Sequence, residues 1–182
     1  VLGVPFITFL APGLISMQVI QQSFSHSSSS FMIGKIQGNI VDLLYAPLSA
    51  TEVTISVALA SVTRSVMIAI VSIIVFKLII DIEIKNYLLL AVFTLLSSFI
   101  LGNIGIIAGL WAEKFDHMAT VTNFVIVPLS FLSGTFYSIN RLPEILQIVS
   151  KANPFFYMID GFRYSFIGQA DGSITVGLVY LT

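Results

Sequence analysis

Long uncharged apolar stretches alternate with short polar links along this chain. From Val1 to Gly34 there is no Asp, Glu, Lys or Arg, and an apolar core over Pro5 to Ile20 passes into "QQSFSHSSSS", which is polar but uncharged. Val53 to Phe76 form a second run interrupted only by Arg64, and Tyr87 to Ala112 and Met118 to Ile139 form a third and a fourth without formal charge. About 20 apolar residues in a helix cross the roughly 30 Å hydrocarbon core of a bilayer, where a helix satisfies its own backbone. The pattern predicts spans over 1–34, 50–80, 87–112 and 118–139. The links "KIQGNIVDLLYAPLSATE", "KLIIDIEIKN" and "EKFDH" suit antiparallel neighbours. A last apolar run over 174–182 would rise only about 13 Å, so it reads as the start of a further span. The chain opens inside apolar sequence without a signal-peptide pattern, and the expectation is a fragment of a longer protein.

The stretch "LPEILQIVSKANPFFYMIDGFRYSFIG", 142–168, is rich in aromatics yet carries charge. Pro143 and Pro154 fit the first turns of two separate helices, with Asn153 as a cap before the second. Each piece is too short to cross, so the segment is expected to dip into the membrane and return. On the second piece Asp160 and Arg163 stand at i, i+3, close enough to pair, while Phe155, Phe156, Tyr157, Phe162, Tyr164 and Phe166 supply an aromatic belt for an interface.

Composition supports the membrane reading: 57% of residues are hydrophobic and 9% are charged. A soluble domain carries about 25% charged residues. The net charge of −1 argues against a nucleic-acid partner, and the absence of cysteine removes disulfides and thiol chemistry. His26 and His117 lie too far apart in sequence to suggest a metal cluster. No set of carboxylate, His or Cys at membrane depth points to an enzyme, and no repeated filter or charge ring points to a channel.

Some residues inside the runs carry chemistry. Arg64 falls near the middle of its span, where insertion costs about 2.5–3.5 kcal/mol, so it needs a partner, a cavity or water. Ser61, Ser65 and Ser72 lie on its side at helical spacing. The group reads either as a polar lining of a translocation path or as an arginine bonded to carbonyls within its own bundle. In the third span Gly102, Gly105, Ala108 and Gly109 form a small-residue stripe for close helix packing. Asn103 and Asn123 are expected to bond across helices, and Pro128 to kink the fourth span. In the first link, a helix from Gly38 sets Ile40, Val41, Leu43 and Leu44 on one face with Asn39 and Asp42 elsewhere, and Pro47 ends it by restricting Ala46. Such a helix can lie in the headgroups or press on another protein.

Two blocks in order, "NIVDLLYAPLSATEV" (39–53) and "FLSGTFYSINRLPEILQIVSKANPFFYMIDGFRYSFIG" (131–168), resemble the permease subunits of ABC-2-type transporters, the class of polysaccharide, nodulation-factor and drug exporters. The likeness is to the bacterial inner-membrane permease branch. It implies an all-α polytopic membrane protein of six helices, of which the first and most of the last are missing here. Asn39 to Pro47 would be a cytoplasmic coupling helix, with Asp42, Leu43, Leu44, Tyr45, Pro47 and Glu52 touching an ATP-binding-cassette ATPase subunit. Arg64, Ser61 and Ser65 would line the path. Asn153, Pro154, Tyr157, Asp160 and Arg163 would belong to an extracytoplasmic re-entrant gate. No cofactor is expected in this chain, ATP and Mg being held by the partner ATPase, and a second permease copy completes the transporter in the lipid bilayer. The alternative is a non-transporting scaffold or a channel-like protein. The resemblance also overrides the loop charges. Lys77, Lys85, Arg141, Lys151 and Arg163 on one face against Lys35 and Lys114 on the other would have put the first set inside.

Overall fold

The computed structural model describes residues 5–80 and 82–182, and the side chains of Leu43 and Leu44 lie outside the described set. Helix α1 runs Phe6–Gln37, α2 Ile40–Tyr45, α3 Ala50–Ile79, α4 Tyr87–Trp111, α5 Phe115–Val121, α6 Val127–Leu132, α7 Glu144–Ala152, α8 Pro154–Ile167 and α9 Ile174–Leu181. A π-helical turn, Thr122–Ile126, joins α5 to α6, and a 3-10 turn, Ile139–Arg141, precedes α7.

α1 is the hub, packed against α3, α4 and α8. Its partners explain why a helix carrying buried Ser16, Ser23, Ser27 and Ser28 can sit in an otherwise apolar chain. Those hydroxyls face other helices, not lipid, and Ser23 shares a hydrogen bond with Ser65 of α3. By length and apolar composition the helices able to cross a membrane are α3, α4 and the Phe115–Leu132 rod. The expected first span is long enough but less apolar than the others, and of its polar half Ser23, Ser27 and Ser28 are covered by protein while Ser25, His26 and Ser29 are half-buried and Ser30 is exposed.

The glycine stripe of α4 is a contact surface. A Cβ at Gly105 would lie 2.5 Å from the Phe24 carbonyl oxygen, and one at Gly109 2.7 Å from that of Ser28. At Gly102 it would meet the Ser61 hydroxyl of α3. Backbone-to-backbone approach of this kind is what small residues allow where lipid gives no hydrophobic drive to helix association. On the other side of α4, Phe93 fills the space that a side chain at Gly161 of α8 would need.

The expected limits of the fourth span are corrected: the helical rod covers 115–132 rather than 118–139. At Pro128 the regular ladder is interrupted by the π turn before it, where the Val127 N–H bonds back to the Thr122 carbonyl, five residues earlier. Proline lacks the N–H that would continue the regular ladder, and a wider turn is one way to accommodate it. The helix then stops at Leu132, followed by Gly134 at φ +76°. Asn103 does not reach another helix either: it donates to the Phe99 carbonyl of its own helix at 2.8 Å, and Asn123 is exposed on the π turn.

Candidate functional site

The end of the bundle around residues 35–52 is built from a helix stop and a helix start. Gly38 takes the left-handed conformation and closes α1 with its N–H on the Lys35 carbonyl. The short helix therefore begins at Ile40, not at Gly38. Ala46 is extended before Pro47, as proline requires of its predecessor, so α2 is six residues long. Ile40 turns inward onto Phe31, Ala58 and Ile106, whereas Val41, Asp42 and Tyr45 face outward, Tyr45 at 86% exposure. The spacing predicts Ile40 and Val41 on one face. Anchoring of Ile40 in the cluster separates them. Pro47 is exposed, and Glu52, also exposed, is engaged in a capping box, accepting from the Ser49 N–H at 2.7 Å while Ser49 Oγ accepts from the Glu52 N–H.

Sequence reasoning missed Lys35. Its Nζ donates to the carbonyls of Gly109 at 3.0 Å and Ala112 at 2.9 Å, and to that of Leu110. A cation there satisfies the orphan carbonyls of the α4 C-terminus and complements its dipole. Lys85 does the same for α8 from the opposite end, donating to the Ile167 carbonyl at 2.5 Å. A lysine at the close of one helix whose neighbour ends without its own basic residue is the available sequence signal.

The second constellation surrounds the break after α6. A helix that stops inside apolar surroundings leaves carbonyls that need donors. The Asn153 amide donates to the Leu129 carbonyl and to Ser133 Oγ, both at 2.9 Å, while its Oδ1 accepts from the Phe155 N–H and caps α8. Ser150 donates to Leu132 at 3.0 Å and Thr135 to Ser130 at 2.7 Å. Arg163, 1% exposed, donates to the Gly134 carbonyl at 2.6 Å and lies over the Phe9 ring at 3.9 Å. Pro154 starts α8 as expected.

Asp160 and Arg163 do not pair in the described hydrogen bonds. Asp160 accepts from the backbone N–H groups of Asp171 at 3.0 Å and Gly172 at 2.8 Å, because α8 turns back into α9 directly above it. Asp171 in turn accepts from Ser138 Oγ at 2.7 Å and from the Ile139 N–H at 3.0 Å. This chain of bonds brings residues 138–140 beside residue 171. The aromatic belt is corrected as well. Phe155, Phe162 and Phe166 are buried in the clusters that α8 shares with α1 and α4, and Phe156 is buried against the α8–α9 turn at Gly172, because α8 is an inner helix of the bundle, while Tyr157 is half-buried and packs, tilted, on Tyr180 of α9 at 5.0 Å between centroids.

The residues proposed for a path are separated. Ser61 and Ser65 are fully buried between helices, Ser61 bonding the Ala58 carbonyl and Ser65 that of Ser61. Arg64 points out of the bundle instead, and its NH1 donates to His26 Nδ1 at 3.3 Å.

A model of the family described as "ABC-2 type transporter" matches residues 1–167. This chain belongs to the ABC-2 type transporter family. The two motif blocks of the family likeness thus coincide with the two constellations, the α2 foot and the capped break. Among relatives, the chain is similar to "Inner membrane transport permease YadH" of Escherichia coli (strain K12), 33% identical over 169 residues. The same figures hold for the proteins of that name from Escherichia coli O157:H7 and Shigella flexneri. The matched region is 93% of this chain and 66% of the relative, so the chain spans just under two thirds of the length of the curated relatives it matches. No solved structure matches it.

Proposed function

We propose that this chain is the membrane-embedded permease part of a bacterial inner-membrane ATP-binding-cassette exporter, in which ATP hydrolysis by a separate ATPase subunit moves substrate out of the cytoplasm. The observation that carries the reading is α2: a six-residue helix between two long helices, anchored by Ile40 and presenting Val41, Asp42 and Tyr45 to solvent. Membership of the family and the likeness to named transport permeases support it. In this reading α2, with Leu43, Leu44, Pro47 and the α3 start at Glu52, receives the ATPase. A second permease copy completes the pathway, and ATP and Mg are bound by the ATPase. Replacing Val41 and Tyr45 with Asp in the full-length permease is expected to reduce transport per ATP hydrolysed by about tenfold, while insertion and melting are unchanged. The coupling ratio in proteoliposomes with the ATPase checks it, and an unaltered ratio refutes the role of α2.

The reading also makes 142–168 a re-entrant hairpin on the extracytoplasmic side, supported by the bonds that join residue 171 to residues 138–140. Asn153, Pro154, Tyr157, Asp160 and Arg163 then form the hinge and seal of an exit gate. Single cysteines at Glu144, Lys151 and Gln169 are expected to react with an impermeant thiol reagent from the extracytoplasmic side alone. Labelling of Lys151 and Gln169 positions from opposite sides would mean that the segment crosses.

A further inference from the structure

We infer that Lys35 is a positioning residue of the coupling machinery: it clamps the last turn of α1, and with it α2, to the end of α4, so that a movement of α2 is delivered to the corner between α4 and α5. The inference rests on the permease reading and names the side chain through which α2 acts.

Chain continuity carries a movement of α2 into α1 and α3, whereas α4 is reached through contacts alone. The close packing of α1 on α4 reaches Gly109, where a Cβ would lie 2.7 Å from the Ser28 carbonyl oxygen and 3.2 Å from the Phe31 Cβ. Beyond that level Ile33, Ile36 and Gln37 are exposed, and a Cβ at Gly34 would meet nothing nearer than Ile40 at 3.9 Å. Gly38, at φ +76°, then joins this turn to α2.

On its apolar side α2 is loosely backed. A cleft of about 310 Å³ opens among Ile40, Leu48, Val53, Thr54, Ile106 and Leu110. Such a gap passes on a push poorly, because strain travels through close packing. The polar side is different. Lys35 Nζ donates to the carbonyls of Gly109 at 3.0 Å and Ala112 at 2.9 Å, and to that of Leu110. An ammonium carries three protons, and each has an acceptor at a helix end whose own amides leave its carbonyls open. These bonds fix the turn that carries α2 onto the last residues of α4. From there the chain passes through Glu113 and Lys114 into the 115–132 rod, which ends at the capped break. The clamp therefore stands between α2 and the segment read as the exit gate.

The first test needs no ATPase: hydrogen exchange of the full-length permease in nanodiscs. Lys35→Met is expected to speed amide exchange about tenfold both at 109–115 and in α2 at 40–46, and Lys35→Arg, which keeps charge and donors, to leave it near the parent value. Faster exchange at 109–115 with α2 unchanged would make Lys35 a cap of α4 and nothing more, and would overturn the proposal. In proteoliposomes with the ATPase, Lys35→Met is expected to lower transport per ATP hydrolysed about fivefold while ATP hydrolysis continues, and Lys35→Arg to restore the ratio. Lys114→Met, which removes an exposed lysine from the same corner, is expected to leave the ratio unchanged. An equal loss there would make the effect one of net charge and would also overturn the proposal. The variant with Asp at Val41 and Tyr45, measured alongside, separates this inference from the reading beneath it. A lowered ratio in that variant with a normal ratio in Lys35→Met sinks the clamp alone, and normal ratios in both sink the coupling role of α2 and the clamp together.

Discussion

Replacing Arg163 with methionine is expected to lower the melting temperature of the solubilised protein by roughly 10 °C, the largest effect of any single change at the break after α6. Methionine keeps the unbranched apolar stem but withdraws the guanidinium from the Phe9 ring and the donor from the Gly134 carbonyl, and with it the weaker bond to Thr135 at 3.5 Å. A buried acceptor left without a partner costs about 1–3 kcal/mol, and the lost cation–π contact adds about 1–2 kcal/mol. A loss near 3–4 kcal/mol in a chain of this size corresponds to the stated shift at about 2–4 °C per kcal/mol. Arg163→Lys should fall between, since an ammonium can reach one carbonyl but does not stack as a planar guanidinium does. Part of the loss is offset by no longer burying a charge, which is why methionine, not aspartate, is the informative variant. Melting of Arg163→Met within about 2 °C of the parent would show that the carbonyls find other donors and that the capping account is wrong. Asp160 is bonded to the α8–α9 turn and not to Arg163, but the two opposite charges are buried one helical turn apart, so Asp160→Asn combined with Arg163→Met should lose less than the sum of the two single losses.

The second large effect is at Gly105. A single methyl added there would meet the Phe24 carbonyl oxygen at 2.5 Å, and the obstacle is backbone, so no rotamer relieves it. α1 and α4 must move apart, opening the tightest contact of the hub. Gly105→Ala is expected to cost about 1–3 kcal/mol, the range for forced overpacking, and Gly105→Leu to abolish recovery of folded protein. Gly34→Ala is the control: its Cβ would meet nothing closer than Ile40 at 3.9 Å, so the same chemistry should be neutral or slightly stabilising. Thermal melting of the three variants in one detergent checks both statements. Equal behaviour of Gly34→Ala and Gly105→Ala would remove the close approach of α1 and α4 from the explanation of the fold.

The way these effects distribute explains what could be read in advance. Helix limits set by local chemistry were legible: Pro154 at the first turn of α8 with Asn153 as its cap, Pro47 ending α2, and the α4 glycines as a packing stripe all depend on residues a few positions apart. What Asn153 does with its amide was not legible, because its acceptor is the Leu129 carbonyl, 24 residues away, exposed by a helix stop that the apolar run to Ile139 conceals. The same holds for Arg163. An i, i+3 acid partner is the local solution, but the broken end of α6 offers carbonyls closer to hand, and the structure uses those.

By itself the sequence determined that the chain is helical and built for a membrane, where the long helices lie, and which two blocks carry the family's character. Hydropathy, proline and capping residues act within one or two turns, and that range is what a sequence displays. Only the tertiary structure decided which faces are inside. It turned the aromatic residues of α8 into core, buried Ser61 and Ser65 while leaving Arg64 on the surface, sent Ile40 inward and Val41 outward, and placed Lys35 on the end of α4. In a chain so apolar throughout, lipid-facing and protein-facing positions have nearly the same composition. The difference lies in which neighbour can satisfy a hydroxyl, a carbonyl or a charge, and only the assembled bundle decides that.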